Sequence, residues 1–489
     1  MLKHRIFGLL TALVVLSALT VSAAAFSDVP AGHWAAGDIA RCAEAGYLKG
    51  ESADRFGLGK PMTRAGFVTA LGRFFGWEET ALTAPYTDVD PSAWYAGAVN
   101  AAYAQGAVTA QRSAFRPNDP ITREEMAVML VRALGYGSIS GLTQGAALPF
   151  TDVTTNLGYL TLAYDFGLIS GTTAATFSPD APATREQAAV ILTRLAGKLQ
   201  RDVTGSLGVV TDWGETSSLA GFDVIALQAG ELRVSGKKAS VSITMKETDL
   251  ASVRDEAGRR PVLLGVTAKE TALKASPAAL AQALAQAVEE GYYDGLYLDI
   301  PAVSEKYRAA MTALSQAVKA ALGEKAFYLV SEAPALGGGG YGGYDHAALA
   351  AAADELVLRP AATLERVSGF TAAPKQALEE CWHALRSLRG CDNVTLLLDG
   401  QGAAWRSGKL SGTLTGAEIE AALEGGAEEN WSERYDCAYY RSGAATVWSL
   451  NKTAAAARLE LLRLMGADAF ALTGAEDVYA GTLAGLEIE

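Results

Sequence analysis

Tyr86-Thr87-Asp88-Val89 opens a stretch that closes, about thirty residues on, with Ile121-Thr122-Arg123-Glu124-Glu125, and the same two landmarks stand on either side of it. Phe26-Ser27-Asp28-Val29 and Phe150-Thr151-Asp152-Val153 repeat the first landmark, while Met62-Thr63-Arg64 and Ala183-Thr184-Arg185 repeat the second, at a period of about 60 residues. A fixed period marks a repeated unit that buries its apolar face only against its neighbours. Between the landmarks lie an apolar helical stretch and a glycine turn, at Gly46-Tyr47-Leu48, Gly106-Ala107-Val108 and Gly167-Leu168-Ile169. Each unit therefore reads as helix, loop and second helix. The second helix has a legible start: Thr122 with Glu125 is a capping box, as is Thr184 with Gln187, and apolar Met126, Met129, Leu130 and Leu134 follow in the middle unit. Gly66 stands at the box position of the first unit and predicts a weaker cap.

An arginine just inside each of these helices opposes the helix dipole by roughly 0.3–1 kcal/mol. Three such placements, Arg64, Arg123 and Arg185, point to an anionic ligand; the simpler alternative is that they solvate helix ends. Taken together with Trp34 and Trp94, the loops Phe115-Arg-Pro-Asn-Asp-Pro and Phe177-Ser-Pro-Asp-Ala-Pro, and the Thr-Arg-Glu-Glu and Thr-Arg-Glu-Gln starts, these segments resemble S-layer homology modules. The resemblance implies three modules, over 26–83, 84–147 and 148–200, forming an α-helical pseudo-threefold unit that binds acidic or pyruvylated secondary cell-wall polysaccharide. On that pattern Arg64, Arg123, Arg185, Trp34 and Trp94 are the expected polymer contacts. The third module has Leu157-Gly158 in the region of the tryptophan and the first lacks the Phe-x-Pro loop, so the three sites are expected to differ.

Lys3, His4 and Arg5 precede an apolar run from Ile6 to about Val21, and Ser22-Ala23-Ala24-Ala25 supplies small residues for cleavage before Phe26. Residues 1–25 thus read as a signal peptide, with an uncleaved anchor as the alternative; either places the folded part outside the cytoplasm, and cleavage leaves no stable membrane span. The chain has 489 residues, 50% of them hydrophobic and 19% charged, so it should fold into several domains. A net charge of −13 excludes nucleic acid as a partner, because no basic field displaces counterions from phosphate. Cys42, Cys381, Cys391 and Cys437 lack the spacing of a zinc site, and either one bridge among the last three or ordinary buried thiols fit them. The glycine run Gly337–Gly343 lacks the Lys-Ser/Thr ending of a phosphate loop. No metal or cofactor is expected.

Beyond a polar stretch at 198–206 the pattern changes. Short apolar runs at Val209-Val210, Val224–Leu227, Val262–Val266, Gly295–Leu298, Phe327–Val330, Leu356–Leu358, Val394–Leu398 and Ala469–Leu472 alternate with helical segments such as Pro277–Glu290 and Tyr307–Leu322. Eight such strands predict an α/β TIM barrel, (β/α)₈, over 207–489, with any site at the strand C-terminal ends. Gly291-Tyr292-Tyr293-Asp294-Gly295-Leu296-Tyr297-Leu298-Asp299-Ile300-Pro301, with Tyr344-Asp345-His346 and Val447-Trp448 further on, resembles glycoside hydrolase family 18, above all its spore-wall branch. That family's strand motif is Asp-Gly-x-Asp-x-Asp-x-Glu, whose final Glu protonates the glycosidic oxygen and whose preceding Asp orients the substrate acetamide. In this chain Asp294 and Asp299 keep their places, Tyr297 replaces an Asp, and Pro301 stands where the acid belongs. Leu358 is followed by Arg359-Pro360 in place of the family's Tyr-Asp, and about Ala471 replaces a sugar-stacking Trp.

Proline has no proton to give, and general acid catalysis supplies roughly 10²–10⁴-fold. The expectation is a barrel that binds N-acetylglucosamine-containing glycan without cutting it, through Trp213, Asp294, Tyr297, Asp299, Trp405 and Trp448. Two other readings stay open: an active glycosidase in which Glu270 or Glu332 acts as a relocated acid opposite Asp299, and a structural surface-layer component.

Overall fold

The computed structural model describes residues 26–78, 80–213, 219–236, 238–335, 340–361 and 376–488; the leader assigned to 1–25 and the start of the glycine run lie outside them. The chain divides into two units between Arg201 and Asp202.

In the first unit each repeat contributes two main helices: α1 (Ala36–Glu44) and α2 (Arg64–Phe74), α3 (Ala96–Ala104) and α4 (Arg123–Ala133), α5 (Leu157–Asp165) and α6 (Arg185–Leu199), with a single helical turn at Gly137–Ser140 after α4. The second helix of one repeat packs on the first helix of the next, α2 on α3, α4 on α5 and α6 back on α1, so the three repeats close into a ring. At its centre Met62 N–H donates to Ala183 O, Ala183 N–H to Ile121 O and Ile121 N–H to Met62 O, each at 2.8 Å. Three equal bonds between equivalent residues are the signature of the expected pseudo-threefold axis. Thr122 and Glu125 form the full capping box, Gln187 caps the Thr184 N–H, and Thr63 accepts only from Gly66 N–H at 3.1 Å.

The aspartate of each opening landmark pins the loop before the second helix. Asp28 accepts from the Phe56, Gly57 and Leu58 amides, Asp88 from Phe115 and Arg116, and Asp152 from Phe177 and Ser178, at 2.7–3.1 Å. The first repeat therefore keeps the phenylalanine of the loop as Phe56, with Leu58 in place of proline. Gly57, Arg116 and Ser178 share the left-handed conformation at φ 86°, 62° and 59°, which costs a side-chain-bearing residue about 1 kcal/mol or more.

Among the described residues the second unit has fourteen strands. Eight are parallel and close on themselves in the order β1 (Gly205–Val210), β2 (Val224–Ser235), β4 (Val262–Thr267), β5 (Gly295–Asp299), β6 (Ala326–Glu332), β7 (Glu355–Arg359), β8 (Val394–Asp399) and β14 (Ala469–Thr473), which pairs back on β1. This is the expected (β/α)₈ barrel, and Leu207, Val209, Ala226, Leu263, Tyr297, Val330, Val357, Leu397 and Ala471 fill its interior. Helix Pro277–Glu290 forms as read, with proline in its first turn, and the next spans Arg308–Leu322. Two additions escaped the sequence reading. Strand β3 (Lys238–Ile243) folds back antiparallel on the extended β2, and β9 (Gly402–Arg406), β10 (Lys409–Leu414), β11 (Asn430–Ser432), β12 (Cys437–Ser442) and β13 (Ala445–Ser449) form an antiparallel sheet inserted between β8 and β14. All four cysteines are free thiols.

Candidate functional site

The ring of repeats places every predicted arginine at a module boundary. Arg64 Nε donates to Phe115 O at 2.7 Å, Arg123 Nε to Phe177 O at 2.9 Å and Arg185 Nε to Phe56 O at 2.8 Å. Each guanidinium also lies 4.5–5.0 Å from the ring of that same phenylalanine. The arginines thus reach from one module into the next, which is why they sit inside the helix start: a cross-module staple outweighs the small dipole penalty. They do more than solvate helix ends. Burial draws the proton affinity of all three down from the usual arginine value, with neighbouring carboxylates opposing it.

Beside these staples lie grooves built by one rule: the arginine of one module, the loop and second helix of the next, and the residues before the first helix of the third. One groove, of about 220 Å³, brings Arg123 together with Ser170-Gly171-Thr172, Phe177, Arg194 and Trp34. Trp34 is 63% exposed and Trp94 71%, so both rings face solvent, as a saccharide platform must. A second groove, of about 440 Å³, joins Arg64 to the Val108–Arg116 loop and α4, but Thr155 and Asn156 stand where the tryptophan should be. The missing tryptophan of the third repeat is therefore a missing wall of this groove. Trp94 precedes α3, which packs on α2, and holds in the second repeat the place that Trp34 holds in the first.

At the barrel mouth the two-residue period of a strand lifts Asp299 one layer above Tyr297, Glu332 above Val330 and Arg359 above Val357. Arg359 Nη2 meets Asp299 Oδ2 at 2.5 Å, and its Nη1 lies 3.3 Å from both Asp299 Oδ1 and Glu332 Oε1. Burial opposes the charge of Arg359, yet the Asp299 and Glu332 carboxylates outweigh it and hold its proton more tightly than usual. For Glu332 burial prevails over the pull of Arg359 and pushes its affinity for a proton up. Glu332 Oε1 also accepts from Ala302 N–H at 3.4 Å, next to exposed Pro301. Tyr344 steadies this loop by donating to Ile300 O at 2.8 Å and accepting from Val303 N–H at 3.3 Å. Glu270 is turned to Ser304, whose hydroxyl and amide it accepts at 2.6 and 2.8 Å, and these bonds draw its proton affinity down.

Four expectations for the barrel cleft need correction. Asp294 lies at the opposite, N-terminal end, where its carboxylate accepts from Val262 N–H at 2.8 Å and ties β5 to β4. Tyr297, 1% exposed, is interior packing, because its register places it one layer below the mouth. Trp405 and Trp448 are buried in the inserted sheet, opposite Thr446 and Ala403, with Trp448 packed on Tyr435 and Tyr439. Trp213 does follow the end of β1, and Asp299 and Glu332 do meet. Arg359, which the sequence reading noted only as a departure, is the residue that joins them. Among the described residues no group of His, Cys, Asp and Glu could hold a metal, and no helix is long and apolar enough to cross a membrane.

The S-layer homology domain model matches residues 25–67, 85–127 and 149–189. Among curated proteins the chain is similar to Exoglucanase XynX of Acetivibrio thermocellus, 30% identical over 35% of this chain and 16% of that protein. It is also similar to an S-layer protein of Bacillus thuringiensis subsp. finitimus, 29% identical over 39% of this chain and 24% of that one. The chain spans only about a tenth to a quarter of the curated relatives it matches first. Similar solved structures include a chitinase from Chromobacterium violaceum, 17% identical over 58% of this chain and 100% of that one, TM-score 0.48. Another is the spore cortex-lytic enzyme SleL of Bacillus megaterium QM B1551, 12% identical over 67% and 81%, TM-score 0.49. The chain carries three S-layer homology domains, followed in sequence by a closed (β/α)₈ barrel.

Proposed function

We propose that this is an exported cell-surface protein held to secondary cell-wall polysaccharide by its helical unit, and that its barrel binds N-acetylated glycan without hydrolysing it. The surface placement rests on the three S-layer homology domains, and similarity to proteins named as S-layer and cell surface proteins supports it. The observation that carries the barrel reading is the position of Arg359. A glycosidase of this scaffold needs a carboxylic acid beside the leaving oxygen and an aspartate free to meet the acetamide; here proline occupies the first place and a guanidinium holds the aspartate. Asp299 and Glu332 touch one nitrogen of Arg359, so both carboxylates already have a cationic partner within the protein.

The test is to incubate the full chain with N-acetylglucosamine oligomers and with purified peptidoglycan. Retention without new reducing ends is expected; their steady release refutes the reading. One observation favours a second reading, that Glu332 is a relocated acid: burial raises its hold on a proton, the property an acid at neutral pH requires. That reading demands turnover in the wild type and its loss in Glu332→Gln.

A further inference from the structure

Two strands of the second unit each close one end of a sheet, and they carry opposite charge. Among the described residues β3 pairs only with β2, and β11 only with β12. Thr244 N–H donates to Ala229 O at 2.9 Å, continuing the register of the β2–β3 ladder. Because an antiparallel ladder alternates bonded and non-bonded pairs, Ala239, Val241 and Ile243 turn their N–H and C=O groups away from β2. Such an edge is a template for another strand, and charge is the usual guard on it.

From Leu232 to Lys246 the sequence holds Arg233, Lys237, Lys238 and Lys246 and no acid, in a chain of net charge −13. Lys238 and Lys246 are exposed and make no side-chain bond among the described residues, and Val234 and Ile243 leave 37% and 40% of their surface uncovered on the same ribbon. Strand β11 is flanked by Glu424, Glu428, Glu429 and Glu433, all exposed, and holds half-buried Trp431; no Lys or Arg occurs from Leu410 to Glu433. The other edge of that sheet, β10, is interrupted by a bulge between Leu410 and Gly412 and begins with Lys409. Two β3 edges therefore repel each other, as do two β11 edges, and the unlike pair attracts.

We infer that copies of this chain associate through the second unit, the β3 edge of one adding to the β11 edge of the next. Main-chain bonds join the strands, Lys238 and Lys246 meet the glutamates around β11, and Ile243 offers Trp431 an apolar neighbour. The two edges are different surfaces of one unit, so the contact is heterologous and every dimer keeps one edge of each kind for further copies. Few residues pair at each contact, so the association is weak and shows itself where copies are concentrated. Neither the wall-anchoring nor the glycan reading is needed for it.

The test is sedimentation velocity of the full chain in solution, without walls or glycan, across rising concentration. The weight-average mass of the wild type should climb past that of a dimer, and raising salt from about 0.1 to about 1 M, which shortens the screening length from roughly 10 to 3 Å, should pull it back. Lys238→Glu with Lys246→Glu, and separately Glu428→Lys with Glu433→Lys, should each weaken association about tenfold or more by setting like charges against each other. All four positions are exposed, so the melting temperature of either variant should match the wild type. An equimolar mixture of the two variants should assemble again, because each supplies the edge that complements the other. A wild type that stays monomeric at every concentration, or stops at a dimer, overturns the inference, as do variants that assemble like the wild type or a mixture that does not recover.

Discussion

Arg359→Met is the perturbation that tests the barrel mouth most directly. The wild-type guanidinium meets two carboxylates whose side chains are only 10% and 14% exposed, while its own is 28% exposed. Removing one partner of a buried ion pair costs about 3–5 kcal/mol, because the remaining charge is left unsolvated. Partial exposure of Arg359 and the ability of Glu332 to take up a proton reduce this to about 2–4 kcal/mol. A barrel of this size loses roughly 2–4 °C per kcal/mol, so its calorimetric transition in the full chain should drop by roughly 4–16 °C at pH 7.5. The sign of the pH dependence is fixed. Burial already raises the affinity of folded Glu332 for a proton, and loss of Arg359 raises it further. A carboxyl whose folded affinity is raised gains stability as pH falls, so the deficit of the variant should narrow between pH 7.5 and 5. Adding Asp299→Asn and Glu332→Gln should restore most of the loss, since a buried triad replaced as a whole costs little. A transition that does not move in Arg359→Met, or a deficit that widens on acidification, refutes the clamp.

Ser178 adopts a left-handed conformation that Gly57 occupies without strain at the equivalent position; Ser178→Gly should stabilise the helical unit by about 0.5 kcal/mol, seen as a higher urea midpoint. Desolvation works against the Asp28 charge, but the amides of Phe56, Leu58 and Gly57 pull its pKa down to about 2 from 3.8. Being depressed on folding, Asp28 contributes stability above the ordinary value that is lost as pH falls toward 2. Hydrogen-exchange protection at those three amides should therefore collapse between about pH 4 and 2 in the wild type, and be lower and flatter in Asp28→Asn. Tyr344→Phe removes the donor to Ile300 O and should lower barrel stability by about 1–2 kcal/mol while exposing the 300–304 loop to protease.

The legible parts of this chain were those where local pattern and fold coincide. Each of the eight barrel strands contains a short apolar run, and the helix of 277–290 announces itself by Pro277. The inserted sheet did not, because strands such as Gly-Ala-Ala-Trp-Arg and Lys-Leu-Ser-Gly-Thr-Leu have neither alternation nor an apolar run. With that sheet unseen, Trp405 and Trp448 were drawn to the barrel by their place in the chain. Arg359 was hidden for a different reason: its partners lie 60 and 27 residues away, and only the register Glu332↔Arg359 and the adjacency of β5, β6 and β7 bring them together. A signal was present, since β5, β6, β7 and β8 all end in a charged residue, Asp299, Glu332, Arg359 and Asp399.

Both units turn on the same question, whether an arginine near an opening is committed or available, and the answer lies on the neighbouring element. Arg359 and Arg64 each face a carboxylate at ion-pair distance, at the end of a strand in one case and the first turn of a helix in the other. Their charge is satisfied inside the protein, and an incoming anion would have to displace a partner that costs no translational entropy to bind. Arg123 has an equivalent backbone anchor and an equivalent phenylalanine beneath it, yet among the described residues it makes no ion pair and bonds only to backbone carbonyls. The difference lies in one side chain at the third position of the facing helix, Glu125 against Arg64 and Gln187 at the equivalent place for Arg123, so the same backbone anchor carries a committed charge in one boundary and an uncommitted one in the next.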